Sequence, residues 1–143
     1  MSVTLTQVYK GDSSQDREWP VASGTNAGTA VVSISNQPAV TITNRGDSTL
    51  TKQIGYISIT IPSGGVGNLP GSATIAVNGT YRGAVTGAGS STPKNTSVFA
   101  VVAGGLVTEL TLTAAGNTKF GVVDSFLGKA SASDTAIKIG VFA

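Results

Sequence analysis

Seven carboxylates are all the acidic chemistry this 143-residue chain holds, and neither histidine nor cysteine accompanies them. That removes the Ser/His/Asp and Cys/His nucleophile arrangements and the Cys/His zinc sites, each of which needs an imidazole or a thiolate. Asp12, Asp16 and Glu18 are close enough in sequence to share a cation, but they miss the spacing and the glycine of a calcium loop. They read as a solvated acidic patch. Acid/base catalysis requires carboxylates whose environments push their pKa values apart. Asp47, Glu109, Asp124 and Asp134 fall at expected turns or on strand faces, with nothing beside them to form such a pair. No catalytic residue, metal ligand, cofactor or small-molecule substrate is expected, and the chain is not expected to be an enzyme.

The short motifs are equally sparing. Gly64 to Gly67 (GGVG) does not extend to G-x-G-x-x-G, and Gly128-Lys129 is followed by Ala130, without the hydroxyl that a phosphate loop places on magnesium. Arg45-Gly46-Asp47 matches an adhesion tripeptide but sits where a turn is needed. Asn78-Gly79-Thr80 and Asn95-Thr96-Ser97 fit the glycosylation sequon. The beginning of the chain has neither a basic nor an apolar signal region, so both read as turn chemistry. Nine Lys and Arg residues give a net charge of +2 without forming a run. A nucleic-acid footprint clusters its cations on one face, so no nucleic-acid partner is expected. Nowhere do 18 apolar residues run together, and no membrane partner is expected either.

The elements that would carry any binding surface are strands. The chain has 16 Val, 9 Ile and 19 Thr against 7 Leu and 2 Glu. β-Branched residues suit a pleated surface and lose rotamer freedom in a helix. Short apolar runs alternate with turn clusters: 30–34, 40–43, 55–61, 73–77, 80–85, 97–102, 106–113, 119–123 and 136–142. Tyr56, Ser58 and Thr60 are expected on one face of their strand, with Ile57, Ile59 and Ile61 on the other. Asn78-Gly79 predicts a type I′ hairpin joining 73–77 to 80–85. Turns are expected at Gly104-Gly105 and around Ala115 to Asn117, a loop at 86–95, and one short helical turn within 125–133. The rhythm is that of a single all-β domain, a small β-sandwich or β-barrel-like (β-tulip-like) unit.

Ahead of it, residues 1–20 read as an extended N-terminal arm, with the β domain spanning 21–143. Val3 and Leu5 alternate with threonine, and a polar, charged stretch leads to Trp19-Pro20. Fully extended, about 20 residues reach on the order of 65 Å, farther than the domain is wide. An arm of this kind can add a strand to a partner's sheet edge through backbone hydrogen bonds. Val3, Leu5, Val8, Tyr9, Arg17 and Trp19 are its expected contact residues. On that reading, deletion of residues 2–18 leaves the domain folded.

Residues 21–32 (VASGTNAGTAVV), 38–42 (PAVTI), 61–66 (IPSGGV), 110–122 (LTLTAAGNTKFGV) and 134–139 (DTAIKI) suggest a family. Over roughly residues 20–143, the chain resembles the capsid cement, or head decoration, proteins of tailed bacteriophages. The charged first 20 residues depart from that pattern. The resemblance implies a structural protein, made in the host cytoplasm, that sits on the outer capsid surface of the virion. It would bind the major capsid protein of an expanded shell and clamp neighbouring capsomers together, commonly as a homotrimer. The residues themselves leave two other classes open: another virion part such as a tail-tube or fibre component, and a carbohydrate-binding β-sandwich. The aromatic residues are dispersed along the sequence, whereas sugar sites gather ring faces on one surface.

Overall fold

A computed structural model describes residues 2–10, 16–33, 36–46, 49–54, 57–62 and 71–140. These contain no helix and twelve strands: β1 (Thr6–Lys10), β2 (Arg17–Pro20), β3 (Ala30–Val32), β4 (Pro38–Thr41), β5 (Thr49–Ile54), β6 (Ile57–Pro62), β7 (Ser72–Ala76), β8 (Gly79–Gly83), β9 (Ser97–Ala103), β10 (Leu106–Thr111), β11 (Thr118–Val123) and β12 (Thr135–Ile139). The class is all-β, in a sandwich-like arrangement. Six strands form one antiparallel sheet in the order β1-β8-β12-β11-β9-β10, four form a second in the order β2-β7-β4-β3, and β5 pairs with β6. The expected alternation of faces along 55–61 concerns side chains that lie outside the described residues.

The core between the sheets follows from alternation. Val98 and Ala100 on β9, Leu110 on β10, Phe120 and Val123 on β11, Ile137 and Ile139 on β12, and Tyr81 on β8 are each at most 1% exposed. Ala30, Val40 and Ala76 meet them from the second sheet. They share one face because Ala30 pairs with Val40 and Val40 with Ala76. The opposite face of that sheet is buried too: Ala39, Thr41, Ala73 and Ile75 are at most 1% exposed. Segment 26–29 is strapped onto it. The Thr41 hydroxyl donates to the Asn26 carbonyl at 2.7 Å and accepts the Thr29 amide at 2.9 Å. β4, flanked by β3 and β7, is buried along its whole length.

One isolated parallel bridge, Thr86 to Thr111, links the segment after β8 to the edge strand β10. Beyond β8 the chain crosses to the far edge, where the Thr86 amide donates to the Leu110 carbonyl (2.8 Å) and the Leu112 amide to the Thr86 carbonyl (3.1 Å). Beneath this bridge Val85 is sealed inside at 0% exposure.

Two expectations fail here. The residues on either side of Asn78-Gly79 do not form a hairpin, because β7 belongs to the four-stranded sheet and β8 to the six-stranded one. A type I′ turn needs a positive φ at both central residues. At this corner only Gly79 has one, at 110°. The I′ turn is instead at Gly104-Gly105, with φ of 60° and 78°, closing the Ala103 to Leu106 pair of β9 and β10. Segment 125–133 forms no helical turn; a β-turn from Phe126 to Lys129 takes its place.

The described residues of the first 20, 2–10 and 16–20, are also not a free arm. β1 pairs with β8 and β2 pairs with β7, so this segment supplies an edge strand to both of the larger sheets. Between the sheets, the Leu5 amide donates to the Gly28 carbonyl (2.6 Å) and the Ala30 amide to the Val3 carbonyl (2.9 Å). Leu5 is 4% exposed and fills the space that a side chain at Gly83 would need. A single leucine between threonines thereby ties the N-terminus to both sheets.

Candidate functional site

The six residues expected to make contacts are dispersed by this arrangement. Leu5 is core, and Val3 is half-buried against the core. Leu5 is therefore closed to an outside partner, and Val3 is accessible only in part. Val8, 40% exposed, lies on the outer edge strand β1. The backbone of Tyr9 is paired with Thr80, and its side chain lies outside the described part. Arg17 is exposed on β2, its guanidinium donating to the Asp16 carbonyl. Trp19 is half-buried and comes to line a cleft.

That cleft, about 370 Å³, opens where the segment after β2, the edge strand β3 and the β9–β10 hairpin meet. Trp19, Val21 and Ala22 form one wall, Val31 and Val32 another, and Leu106 with Gly104-Gly105 a third. The first wall is fixed from below. Arg45 donates from Nε to the Val21 carbonyl (2.9 Å) and from its amide to the Thr25 carbonyl (2.9 Å), while Ala27 donates to Asn44 Oδ1 (2.8 Å). Arg45 of the adhesion-like tripeptide thus holds a turn; Asp47 lies outside the described residues. In the hairpin wall Leu106 is 39% exposed, and Val102 of the same hairpin, outside the cleft, is equally so.

A second apolar feature lies in the loop after β11. Phe126 is 72% exposed and Leu127 67%, the most exposed large hydrophobic side chains among the described residues. Their turn is well held. Lys129 donates its amide to the Phe126 carbonyl (2.9 Å), and Gly128 occupies the third position with φ of 89°, the requirement of a type II turn. The Gly128 amide donates to the Ser90 carbonyl (2.8 Å) in the neighbouring loop. At the base, Ser125 Oγ accepts the Ala136 amide (2.9 Å), and Asp124 accepts Thr80 Oγ1 (3.2 Å) and pairs with Lys94 (3.4 Å). Lys94 also stands 5.2 Å from the centre of the Phe126 ring, within cation–π range. Two adjacent large apolar residues in a loop of Ser, Gly and Lys are the signal in the sequence for this tip.

Two other ionisable sites have defined partners. Arg82 grips Asp134 with both nitrogens of its fork, Nε to Oδ1 at 3.0 Å, and this hydrogen bonding holds the exposed carboxyl below its usual range. Burial pushes the Tyr81 phenol up, against the opposing effect of a hydrogen bond with Gln7. Among the described residues, no three His, Cys, Asp or Glu side chains gather where they could hold a metal; Asp12 of the acidic patch lies outside them. Among the described residues, no helix is long and apolar enough to cross a membrane. What the geometry offers is contact: an apolar cleft and an apolar tip on a hydrogen-bonded scaffold. Comparison with protein-family models, with curated proteins and with solved structures finds no match to this chain.

Proposed function

We propose that this chain is a structural virion protein that coats the outside of an expanded phage capsid and clamps neighbouring capsomers, acting as a trimer and without catalysis. Its partner is the major capsid protein. The reading begins from the resemblance of residues 20–143 to capsid cement proteins. The observation that carries it furthest is the Phe126–Leu127 tip, where two large apolar side chains are held out in water by at least four backbone and side-chain hydrogen bonds at the turn and its base. Isolated exposed hydrophobic residues are ordinary, whereas a pre-ordered pair meets a partner with little further loss of entropy. A part that binds only the expanded lattice stabilises that state by mass action, and several linked copies let each contact be weak.

The arm is no longer the vehicle of attachment, since its strands are used within the domain. Attachment falls instead to the exposed tip and edges. Quantitative mass spectrometry of purified particles from the phage carrying the gene tests the reading. A copy number that follows the capsid lattice supports it, and absence from washed particles overturns it. A specific hit on a glycan array, quenched by sugar at Trp19, would move the protein to the carbohydrate-binding class.

A further inference from the structure

We infer that Asn78 is a site of spontaneous modification, its side-chain amide converted by the chain's own backbone to aspartate and isoaspartate at the corner between the two larger sheets. The Gly79 nitrogen bonds to Asn78 Cγ, the Cγ–Nδ2 bond breaks, and ammonia leaves with the proton that the Gly79 nitrogen gives up. Water then breaks one of the two carbon–nitrogen bonds of the succinimide ring. Cleavage at Cγ leaves aspartate, and cleavage at the main-chain carbonyl leaves isoaspartate, with the chain routed through the side chain. A side chain on the attacking residue hinders ring closure, and glycine has none. Asn78 is the one asparagine of seven that glycine follows.

The fold keeps this dipeptide and leaves its amide unheld. Gly79 has a φ of 110°, which residues with a side chain rarely adopt, so the corner itself requires the unshielded neighbour. Asn78 lies between β7 and β8, outside the strand ladders. Its Cβ packs so closely on Gly140 that a carbon added there would stand 2.6 Å away, and its backbone carbonyl accepts the Tyr81 hydroxyl (3.1 Å). Its Oδ1, by contrast, is buried and accepts no hydrogen bond. Other asparagine amides are engaged: Asn44 Oδ1 accepts the Ala27 amide (2.8 Å), and Asn117 Nδ2 donates to the Thr113 carbonyl (2.9 Å). Ring closure at Asn78 therefore breaks no hydrogen bond at the side-chain oxygen.

The product does not suit the corner. A carboxylate in place of the amide puts a charge where a buried oxygen already lacks a donor. Isoaspartate lengthens the main chain by one carbon between β7 and β8, shifting one sheet against the other. Conversion thus runs toward a looser domain and limits the lifetime of the folded protein.

Native protein is incubated at mildly alkaline pH beside a sample unfolded in urea, and both are digested and mapped by mass spectrometry, with isoaspartyl methyltransferase labelling as a second readout. In the native sample, conversion is expected at Asn78 and at no other asparagine. The converted fraction, like Asn78→Asp, is expected to unfold at lower urea than fresh protein. An intact Asn78 in the native sample after the unfolded one has converted would overturn the inference, because the fold would then protect the amide. Conversion spread evenly over several asparagines would also overturn it, and an unchanged urea midpoint in the converted fraction would overturn the loosening.

Discussion

Leu5 gives the sharpest test of how the N-terminus is used. As part of an arm it would cost almost nothing to truncate, since exposed substitutions stay within about 0.5 kcal/mol. In the structure it is 4% exposed, and its Cδ2 methyl occupies the space over Gly83. Leu5→Ala is therefore expected to cost about 3 kcal/mol, toward the lower part of the 2–5 range for buried leucines because it lies near a chain end. Gly83→Ala would drive a methyl into Leu5 and to 3.1 Å from the Thr4 carbonyl. Overpacking of this kind costs about 1–3 kcal/mol. The double variant should lose less than the sum, by about 1–2 kcal/mol, because the truncated side chain makes room for the new one. Urea unfolding followed by far-ultraviolet circular dichroism and Trp19 emission measures all four corners of the cycle. Additivity within about 0.5 kcal/mol, or a Leu5→Ala cost below that figure, would refute the packing described. Deletion of residues 2–10 removes β1 together with Leu5 and is expected to abolish the cooperative transition, the reverse of what an arm predicts.

Gly121→Ala would place a methyl 2.5 Å from the Lys138 carbonyl and 3.1 Å from Ile137 and Ile139. Because backbone cannot swing aside, a loss of about 3 kcal/mol is expected in the same assay, and a loss below about 1 would contradict the close pairing of β11 with β12. Asp134 binds its proton less readily when folded, so its share of stability is present above the unfolded carboxylate value of about 3.9 and is lost as pH falls through the lower folded value. Asp134→Asn should flatten that part of the acid limb at low salt; identical limbs would remove the Arg82 pairing. Tyr81 is the opposite case. Burial raises its phenol above the usual value of about 10, so stability holds below that pH and declines as pH rises toward the folded value. Tyr81→Phe should cost about 1 kcal/mol at neutral pH through loss of the hydroxyl's bond to the Asn78 carbonyl, and should flatten the alkaline decline.

Strand rhythm was legible because it rests on local chemistry. Val98 and Ala100 alternate inward, and Gly104-Gly105 supplies two positive φ values where a tight hairpin needs them. Asn78-Gly79 carries the same turn chemistry but serves a corner between sheets. What decides there is which strands flank each side, β2 and β4 against β7, β1 and β12 against β8. That is tertiary information, absent from a dipeptide. The N-terminus misleads for a related reason. The polar stretch from Lys10 to Glu18 looks like a linker, and one buried leucine is too short a pattern to announce a core strand. Trp19 could be singled out by type, but the cleft it lines is assembled from segments more than 80 residues apart, Trp19 and Leu106 among them. Phe126 and Leu127 are visible as two apolar residues in a polar loop, yet periodicity alone cannot tell a helical turn from a type II turn.

The central claim is contact with an expanded shell, and differential co-sedimentation tests it most directly. The protein is incubated with expanded and unexpanded capsids of a phage whose purified particles are found to contain it, and the bound copies are counted in each pellet. Saturable binding to expanded shells alone, at a fixed number of copies per capsomer and weakened by Phe126→Ser/Leu127→Ser, is the predicted result. Equal binding to both shells, or none to either, would contradict the account.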